Sequence, residues 1–203
     1  MGDSANNPVL ETARLRLRAQ AERDAPVFHQ LWTERDPRVP PYRRIDNGRP
    51  SVQDIEADIR SGTQATDLLT LERKDTSRVI GYCGLVFTGT GEPHEPQLGF
   101  ELLRGEHNQG YATEAGRAIV AWATEIGHPR LWASVWDWNV ASRRALEKLG
   151  FREVGEPGPD TAHGRSLLTV LELDAGSAAR SLRLSSFGAT GREVAVRVDR
   201  AKM

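Results

Sequence analysis

The feature that most constrains the fold is a repeated change in the spacing of apolar residues along the chain. Leu15 and Leu17 alternate with arginines, which indicates a half-buried strand. The run 112–126 instead places apolar residues three or four positions apart, which indicates one face of an amphipathic helix. Segments of both kinds recur as far as residue 173, so the chain is expected to pack helices against a sheet.

Residues that begin and end helices mark the predicted boundaries. Ser51 and Asp54 have the capping-box spacing of a short helix that ends at Gly62. Asn139 is a good N-cap for a later helix, which Gly150 ends. The predicted order is β-α-α-β-β-β-α-β-α-β-β. We therefore predict an α+β fold with a central mixed, mostly antiparallel sheet of about six to seven strands and helices on both faces.

Composition excludes several classes of protein. The 203 residues include 27 Lys and Arg against 28 Asp and Glu, which argues against a phosphate-neutralising, nucleic-acid-binding surface. No apolar run approaches the roughly 20 residues that span a membrane, and the N-terminus lacks the order of a secretory signal. Cys83 is the one cysteine and the five histidines have no ligand spacing. We expect a cytoplasmic protein without a metal.

A change of composition divides the chain near residue 174. Residues 1–173 contain the predicted sheet and helices and are expected to form a single domain. Residues 174–203 are rich in Ala, Ser, Gly and Arg, which favours a solvated tail. However, Leu182, Leu184 and the valines of 194–198 alternate, which favours a hairpin added to a sheet edge or lent to another subunit. Both interpretations stay open, and the protein is expected to be a monomer or a homodimer, the latter possible through this extension.

The stretch 102–114 carries the strongest functional signal. A predicted strand runs through a short polar loop into a helix at Gly110. The first amides of a helix have no intrahelical acceptor and lie at the positive end of its dipole, so such an entry favours pyrophosphate binding. A P-loop is excluded because Tyr111 and Ala112 stand where Lys and Ser or Thr are required. The structural alternative is that Gly110 only makes a tight turn.

This stretch and several other blocks resemble the GNAT superfamily of acetyl-CoA-dependent N-acetyltransferases. The family's cofactor loop reads Arg/Gln-x-x-Gly-x-Gly/Ala, and the matching block is His107-Asn108-Gln109-Gly110-Tyr111-Ala112. The run Gly-Tyr-Ala-Thr-Glu-Ala from Gly110 is most similar to the branch that acetylates N-terminal alanine or serine of ribosomal proteins. The resemblance covers about residues 10–173 and extends to the blocks 12–18, 79–81, 98–100, 139–142 and 147–151.

The resemblance implies a GNAT-like fold and acetyl-CoA as the cosubstrate. Main-chain amides of the loop would hold the pyrophosphate, and the backbone of the preceding strand would meet the pantetheine amides. The residues implied in cofactor binding are Leu102, Leu103, His107, Asn108, Gln109, Gly110, Tyr111, Ala112, Thr113 and Asn139.

The same resemblance implies two catalytic residues. A neutral amine attacks the thioester directly, so an amine proton must leave and a thiolate must be stabilised. Glu101 is the candidate proton acceptor, directly or through water, with Glu95 as a second candidate; the structural alternative for Glu101 is a solvated strand carboxylate. Ser142 is the candidate to donate to the thiolate, and its structural alternative is helix capping.

Four residues depart from the family pattern. In the loop, His107 replaces the usual Arg or Gln and Asn108 the frequent glycine, so the loop is less flexible and less basic. Gln97 stands where a glutamate is frequent, and Leu146 stands where many members have a tyrosine acid. Backbone amides provide most of the phosphate cradle, so we expect weaker cofactor binding rather than none. The departures at His107, Gln97 and Leu146 would suit a non-catalytic acyl-CoA sensor.

The chemistry of the acceptor favours a peptide N-terminus. An α-amine has a pKa near 8 and a lysine amine near 10.4, so the α-amine needs less help from a base. A small-molecule amine, such as a polyamine or an aminoglycoside, is the alternative within the same class. The segment 38–49 is rich in arginine, which disfavours polycations if it borders the acceptor site. The predicted function is therefore acetylation of a primary amine, most simply at a protein or peptide N-terminus.

Overall fold

The computed structural model describes residues 9–62, 66–87 and 95–173. In this part of the chain the helices are α1 (Ala25–Thr33), α2 (Val52–Ser61), α3 (Tyr111–Glu125) and α4 (Val140–Leu149). The strands are β1 (Leu10–Glu11), β2 (Leu15–Ala19), β3 (Thr66–Arg73), β4 (Val79–Val86), β5 (Gln97–Leu102), β6 (Arg130–Trp136), β7 (Arg152–Val154) and β8 (Ser166–Glu172). They form one sheet in the order β1-β2-β3-β4-β5-β6-β8-β7.

The predicted mixed, mostly antiparallel sheet is confirmed. Only the pairing of β5 with β6 is parallel among the strands described. The sheet has eight strands rather than six to seven, because β1 adds a pair of residues to the edge beside β2. Two residues are too few to produce a periodic pattern, so this strand has no signal in the sequence. The extension 174–203, predicted as a tail or hairpin, lies outside the described residues.

Helices cover both faces of the sheet, as predicted. On one face Ile119 of α3 and Leu146 of α4 belong to a buried cluster that includes fully buried leucines of β2 and β3. On the other face α1 and α2 contribute Phe28, Leu31 and Ile55, which pack around Leu103 just after β5. Alternation along β2 explains this arrangement, since Leu15 and Leu17 point to the same face.

The predicted helix caps are present. Ser51 accepts the Asp54 amide at 3.2 Å, and the Asp54 carboxylate accepts the Ser51 amide at 2.8 Å. Asn139 Oδ1 accepts the Ser142 amide at 3.2 Å at the start of α4. Each interaction satisfies an amide that the first helical turn leaves without an acceptor.

A gap between β5 and β6 positions the candidate site. The two strands pair only at Gln97 and Trp132, although β5 continues to Leu102 and β6 to Trp136. They therefore separate toward their carboxyl ends. Since the strands are parallel, the loop that follows β5 and the turn that follows β6 lie at this same open end. The amino ends of α3 and α4 thus flank one gap.

Candidate active site

The edge of β5 that faces the gap exposes backbone groups of Leu102. The Leu103 amide donates to the Ile80 carbonyl of β4 at 2.9 Å, so the amide and carbonyl of the preceding Leu102 point to the opposite edge. His107 Nε2 lies 2.9 Å from the Leu102 carbonyl oxygen, within hydrogen-bond distance. His107, which replaces the usual Arg or Gln of the family's loop, therefore contacts the backbone at the edge of β5.

The loop after β5 enters α3 through two left-handed residues. Asn108 has φ of 60° and Gly110, the N-cap, has φ of 84°. The Glu114 amide donates to the Gly110 carbonyl at 3.0 Å. The amides of Tyr111, Ala112 and Thr113 therefore precede the first helical bond and have no acceptor within the helix. These amides lie at the positive end of the helix dipole, in the stretch that the sequence predicts to bind an anion.

Side-chain contacts hold the loop before α3 against the sheet. Glu106 is buried, and its Oε2 accepts Arg73 Nη1 and Gln109 Nε2, each at 3.3 Å. Gln109 Nε2 also donates to the Gly105 carbonyl at 3.0 Å. Tyr111 is buried with the Arg73 guanidinium 5.6 Å from its ring centroid. The side chains of Gln109 and Tyr111 thus both contact other residues of the protein.

An interaction across one hundred residues joins this helix entry to the beginning of the sheet. Glu114 Oε1 accepts the Thr12 hydroxyl at 2.6 Å and the Arg14 amide at 2.8 Å. Glu114 Oε2 accepts Arg14 Nε at 2.7 Å. Arg14 also donates from Nη1 to the Gln109 carbonyl at 3.0 Å. Sequence reasoning treated the blocks 12–18 and 110–115 as separate motifs; their opposite charges were the available signal that they meet.

Glu101 lies on the sheet face covered by α1 and α2, and three donors surround its carboxylate. Arg35 donates from Nε to Oε1 at 2.7 Å and from Nη2 to Oε2 at 2.5 Å, and the Tyr82 hydroxyl donates to Oε2 at 2.5 Å. Burial, followed by the neighbouring Glu101 charge, raises the pKa of Tyr82, so its hydroxyl stays a donor. Each carboxylate oxygen has about two acceptor positions, so Oε1 retains one. The Glu101 carboxylate is thus held in an ion pair, whereas the structural alternative expected it to be solvated.

Glu95, the second carboxylate considered, lies at the closed end of the gap. Its Oε2 accepts Trp132 Nε1 at 2.8 Å, and its Oε1 is 3.4 Å from Arg130 Nε. Glu95 precedes β5, whereas the loop that leads to α3 follows β5. Six strand residues at about 3.3 Å each separate the two. The geometry therefore favours Glu101 over Glu95 as the residue near the open end.

Ser142 lies in the first turn of α4, beside the open end of the gap. The capping oxygen there belongs to Asn139, which accepts the Ser142 amide. The cap is thus made without the Ser142 hydroxyl, which leaves that hydroxyl for another partner. Leu146, one turn further along, is buried in the core and offers no polar group.

Contacts among three segments bring the chain after α1 to the turn that follows β6. The Arg38 guanidinium lies 4.1 Å from the ring centroid of Trp138. His163 Nδ1 is 2.9 Å from the Arg38 carbonyl, and Trp138 Nε1 donates to the His163 carbonyl at 2.7 Å. This places the basic segment after α1 beside the turn that precedes α4. Its charge is partly neutralised, since Arg38 pairs with Asp36 and Arg49 with Asp54.

Within residues 9–62, 66–87 and 95–173, no three His, Cys, Asp or Glu side chains are grouped as metal ligands. No helix in the same ranges is long and apolar enough to cross a membrane.

Comparisons with known proteins agree with this geometry. The model of the Acetyltransferase (GNAT) domain family matches residues 14–152. The uncharacterized N-acetyltransferase YoaA of Bacillus subtilis is 28% identical over 158 residues, which is 73% of this chain and 85% of that protein. A GNAT-family acetyltransferase structure from Bacillus anthracis superposes with a TM-score of 0.67 at 19% identity, covering 81% of this chain and 98% of that one.

Other solved structures with the same fold differ in the acceptors or ligands named for them. YncA of Salmonella typhimurium, solved with acetyl-CoA, has a TM-score of 0.63 at 15% identity and covers 79% of this chain and 94% of its own. A putative ribosomal-protein-serine acetyltransferase from Vibrio cholerae has a TM-score of 0.61 at 19% identity, covering 81% and 97%. A spermidine N-acetyltransferase mutant from the same organism has 0.64 at 15% identity, covering 86% and 100%. At these identities the likeness concerns the fold.

Proposed function

The chain belongs to the GNAT family of acetyltransferases and is an acetyl-CoA-dependent N-acetyltransferase, and from this premise we propose that its acceptor is the α-amine of a protein or peptide N-terminus. The observation that carries the proposal is the open end of the β5–β6 gap. The free first-turn amides of α3 and the Leu102 backbone border it, and the Ser142 hydroxyl and the Glu101 carboxylate lie on elements beside it.

Binding of the cosubstrate depends on backbone groups. The amides of Tyr111, Ala112 and Thr113 bind the diphosphate at the positive end of α3. The Leu102 amide, which faces the gap, donates to the pantetheine arm in the manner of an added strand. Acetyl-CoA supplies the thioester carbonyl that the amine attacks. Small Ala112 and the buried Tyr111 ring keep the helix entry close to the sheet.

Glu101 receives the amine proton at the remaining acceptor position of Oε1, directly or through one water. Arg35 and Tyr82 hold this carboxylate in one orientation, so that the free position has a fixed direction. An α-amine with a pKa near 8 is already about one tenth neutral at pH 7, whereas a lysine amine is far less so. A site with one tethered carboxylate therefore suits an α-amine best.

The hydroxyl of Ser142 donates to the departing thiolate. It stands in the first turn of α4, where the helix dipole also stabilises negative charge. Asn139 already caps the helix, so this role does not compete with the cap. Asn139 keeps its amide NH2 group to contact the cofactor, as the family resemblance implies.

The acceptor is tested by measuring free thiol released from acetyl-CoA with a matched set of amines. The set contains a peptide with a free N-terminal alanine or serine, the same peptide with a blocked N-terminus and an internal lysine, spermidine, and an aminoglycoside. We expect the free-N-terminus peptide to have a kcat/KM at least tenfold above the others, because its amine needs the least deprotonation. A preference for spermidine or the aminoglycoside would contradict the peptide acceptor.

A second measurement distinguishes an enzyme from a non-catalytic acyl-CoA sensor. Coenzyme A binding is measured calorimetrically beside the thiol-release assay. Binding of coenzyme A without release by any amine would overturn the enzymatic role and support an acyl-CoA sensor.

A further inference from the structure

We propose that Arg14 is a positioning residue for the diphosphate cradle, which acts through the Gln109 carbonyl to aim the Gly110 amide at the ligand. The proposal rests on the use of acetyl-CoA and is independent of which amine accepts the acetyl group. Arg14 lies before β2, about one hundred residues from the loop in sequence. It makes three kinds of contact with the loop and the first turn of α3.

The first contact fixes a peptide plane. Arg14 Nη1 donates to the Gln109 carbonyl at 3.0 Å. In a planar trans peptide the carbonyl and the following N–H point in opposite directions. Holding the Gln109 carbonyl against Arg14 therefore turns the Gly110 N–H away from β2. This amide precedes those of α3, so its fixed direction adds a donor to the same cradle.

The other contacts fix the guanidinium itself. Glu114 Oε2 accepts Arg14 Nε at 2.7 Å and lies 2.6 Å from Nη2, so two guanidinium nitrogens share one carboxylate oxygen. The guanidinium carbon lies 4.3 Å from the ring centroid of Tyr111. Thr12 donates to the other oxygen of Glu114 at 2.6 Å. With Nε and Nη2 held by the carboxylate, Nη1 is left pointing at Gln109.

A simpler explanation is that Arg14 attracts the diphosphate by its charge. The two explanations give opposite signs for Glu114→Gln. That change removes a negative charge from the first turn of α3, so attraction alone predicts tighter binding of an anion. Loss of this ion pair instead releases the Arg14 side chain and with it the Gln109 carbonyl, so positioning predicts weaker binding.

The test measures the dissociation constants of coenzyme A and of pantetheine, which lacks the diphosphate, for the full-length chain. Arg14→Ala is expected to weaken coenzyme A binding about tenfold and Glu114→Gln about threefold to fivefold, the scale of one lost or loosened hydrogen bond. Pantetheine affinity is expected to stay within twofold. In turnover, KM for acetyl-CoA rises while kcat at saturation is retained.

Arg16→Ala is the matched control. Arg16 lies two residues further on, in β2, and its side chain is 48% exposed beside 47% for Arg14, but it pairs with Glu11 and Glu72 rather than with the loop. Its replacement is expected to leave both dissociation constants unchanged. Thermal melting checks folding; if Arg14→Ala does not fold, Glu114→Gln decides by the sign of its effect.

Three results would overturn the inference: tighter coenzyme A binding by Glu114→Gln, equal losses for coenzyme A and pantetheine, or a wild-type protein to which the diphosphate adds no affinity. Failure of the wild type to acetylate peptides would overturn the proposed acceptor instead. The two failures are therefore distinguishable, because the affinities are measured without an acceptor.

Discussion

At the scale of single residues, Glu101 shows how neighbours define what a side chain can do. Its position on a strand alone would predict an ordinary exposed carboxylate. In the fold Arg35 reaches it from the end of α1 and Tyr82 from the adjacent strand, and both its oxygens accept hydrogen bonds. The side chain is 23% exposed, so one acceptor position stays accessible beside a partly buried ion pair. Neither partner lies near Glu101 in sequence.

The proton-acceptor role predicts different results for the two members of this pair. Glu101→Gln and Arg35→Gln both break the same ion pair, so both lower the melting temperature. Only Glu101→Gln removes the proton acceptor, and we expect it to lower kcat about 100-fold while Arg35→Gln lowers it less than tenfold. Steady-state kinetics with a free-N-terminus peptide measures this difference. Equal losses of kcat would show that Glu101 contributes only through the ion pair.

At the scale of elements, the entry of α3 depends on a backbone conformation. Gly110 has φ of 84°, a region that costs a residue with a side chain roughly 1 kcal/mol. A Cβ at this position would lie 3.4 Å from Arg14 Nη2, an ordinary contact, so backbone strain and not a clash is the main cost. The glycine thereby allows the loop to turn into the helix while its amides stay exposed to a ligand.

Two substitutions of this glycine separate strain from charge. Gly110→Ala and Gly110→Asp are both expected to lower the free energy of unfolding by about 1 kcal/mol. Gly110→Asp also places a carboxylate against the diphosphate and is expected to abolish detectable coenzyme A binding. Gly110→Ala keeps the backbone amide and is expected to change the dissociation constant less than threefold. Calorimetric titration that found equal losses would place the diphosphate elsewhere.

At the scale of the whole molecule, a buried ionic group joins the layer of α1 to the sheet. Asp24 is 1% exposed and accepts both terminal nitrogens of Arg18 at 2.7 and 2.9 Å, together with the Thr70 hydroxyl at 2.8 Å. Arg18 in turn donates to Glu72 at 3.0 Å. Burial by itself would raise the pKa of Asp24, but the hydrogen bonds from Arg18, the Ala21 amide and Thr70 outweigh it and lower the pKa.

This lowered pKa predicts how stability depends on pH. A carboxyl group with a depressed pKa in the folded state stabilises fully above its unfolded pKa of about 3.9, and the contribution is lost as the pH falls through the folded value. Asp24→Asn is expected to lower the free energy of unfolding by about 3 kcal/mol at pH 7, since it leaves Arg18 partly unpaired. Urea unfolding should show this difference constant from pH 7 to 5 and smaller below about pH 4.

Glu22→Gln is the matched control, because Glu22 pairs with Arg60 at an exposed site two residues away. Exposed pairs contribute little, so its unfolding curves are expected to follow those of the wild type at each pH. A difference for Asp24→Asn that grew in acid would contradict the lowered pKa.

The sequence by itself determined the elements and the chemistry that local patterns encode. The predicted boundaries of α2 and α4 are confirmed at Ser51, Gly62, Asn139 and Gly150. Local sequence predicts them because a helix cap depends on residues within one turn. The entry of the loop into α3 at Gly110 was predictable for the same reason: this glycine and the first-turn amides that follow lie within a few residues. Two-residue β1 was missed, since a strand that short has no period.

Only the tertiary structure decided which distant residues meet. The contact of Arg14 with Glu114, the partners of Glu101 and the place of β8 between β6 and β7 all join segments far apart in the chain. The early separation of β5 from β6, which opens the gap, belongs to the same class. Such pairings arise from the packing of two helical layers on one twisted sheet, and a single sequence records the periods of its elements but not their partners.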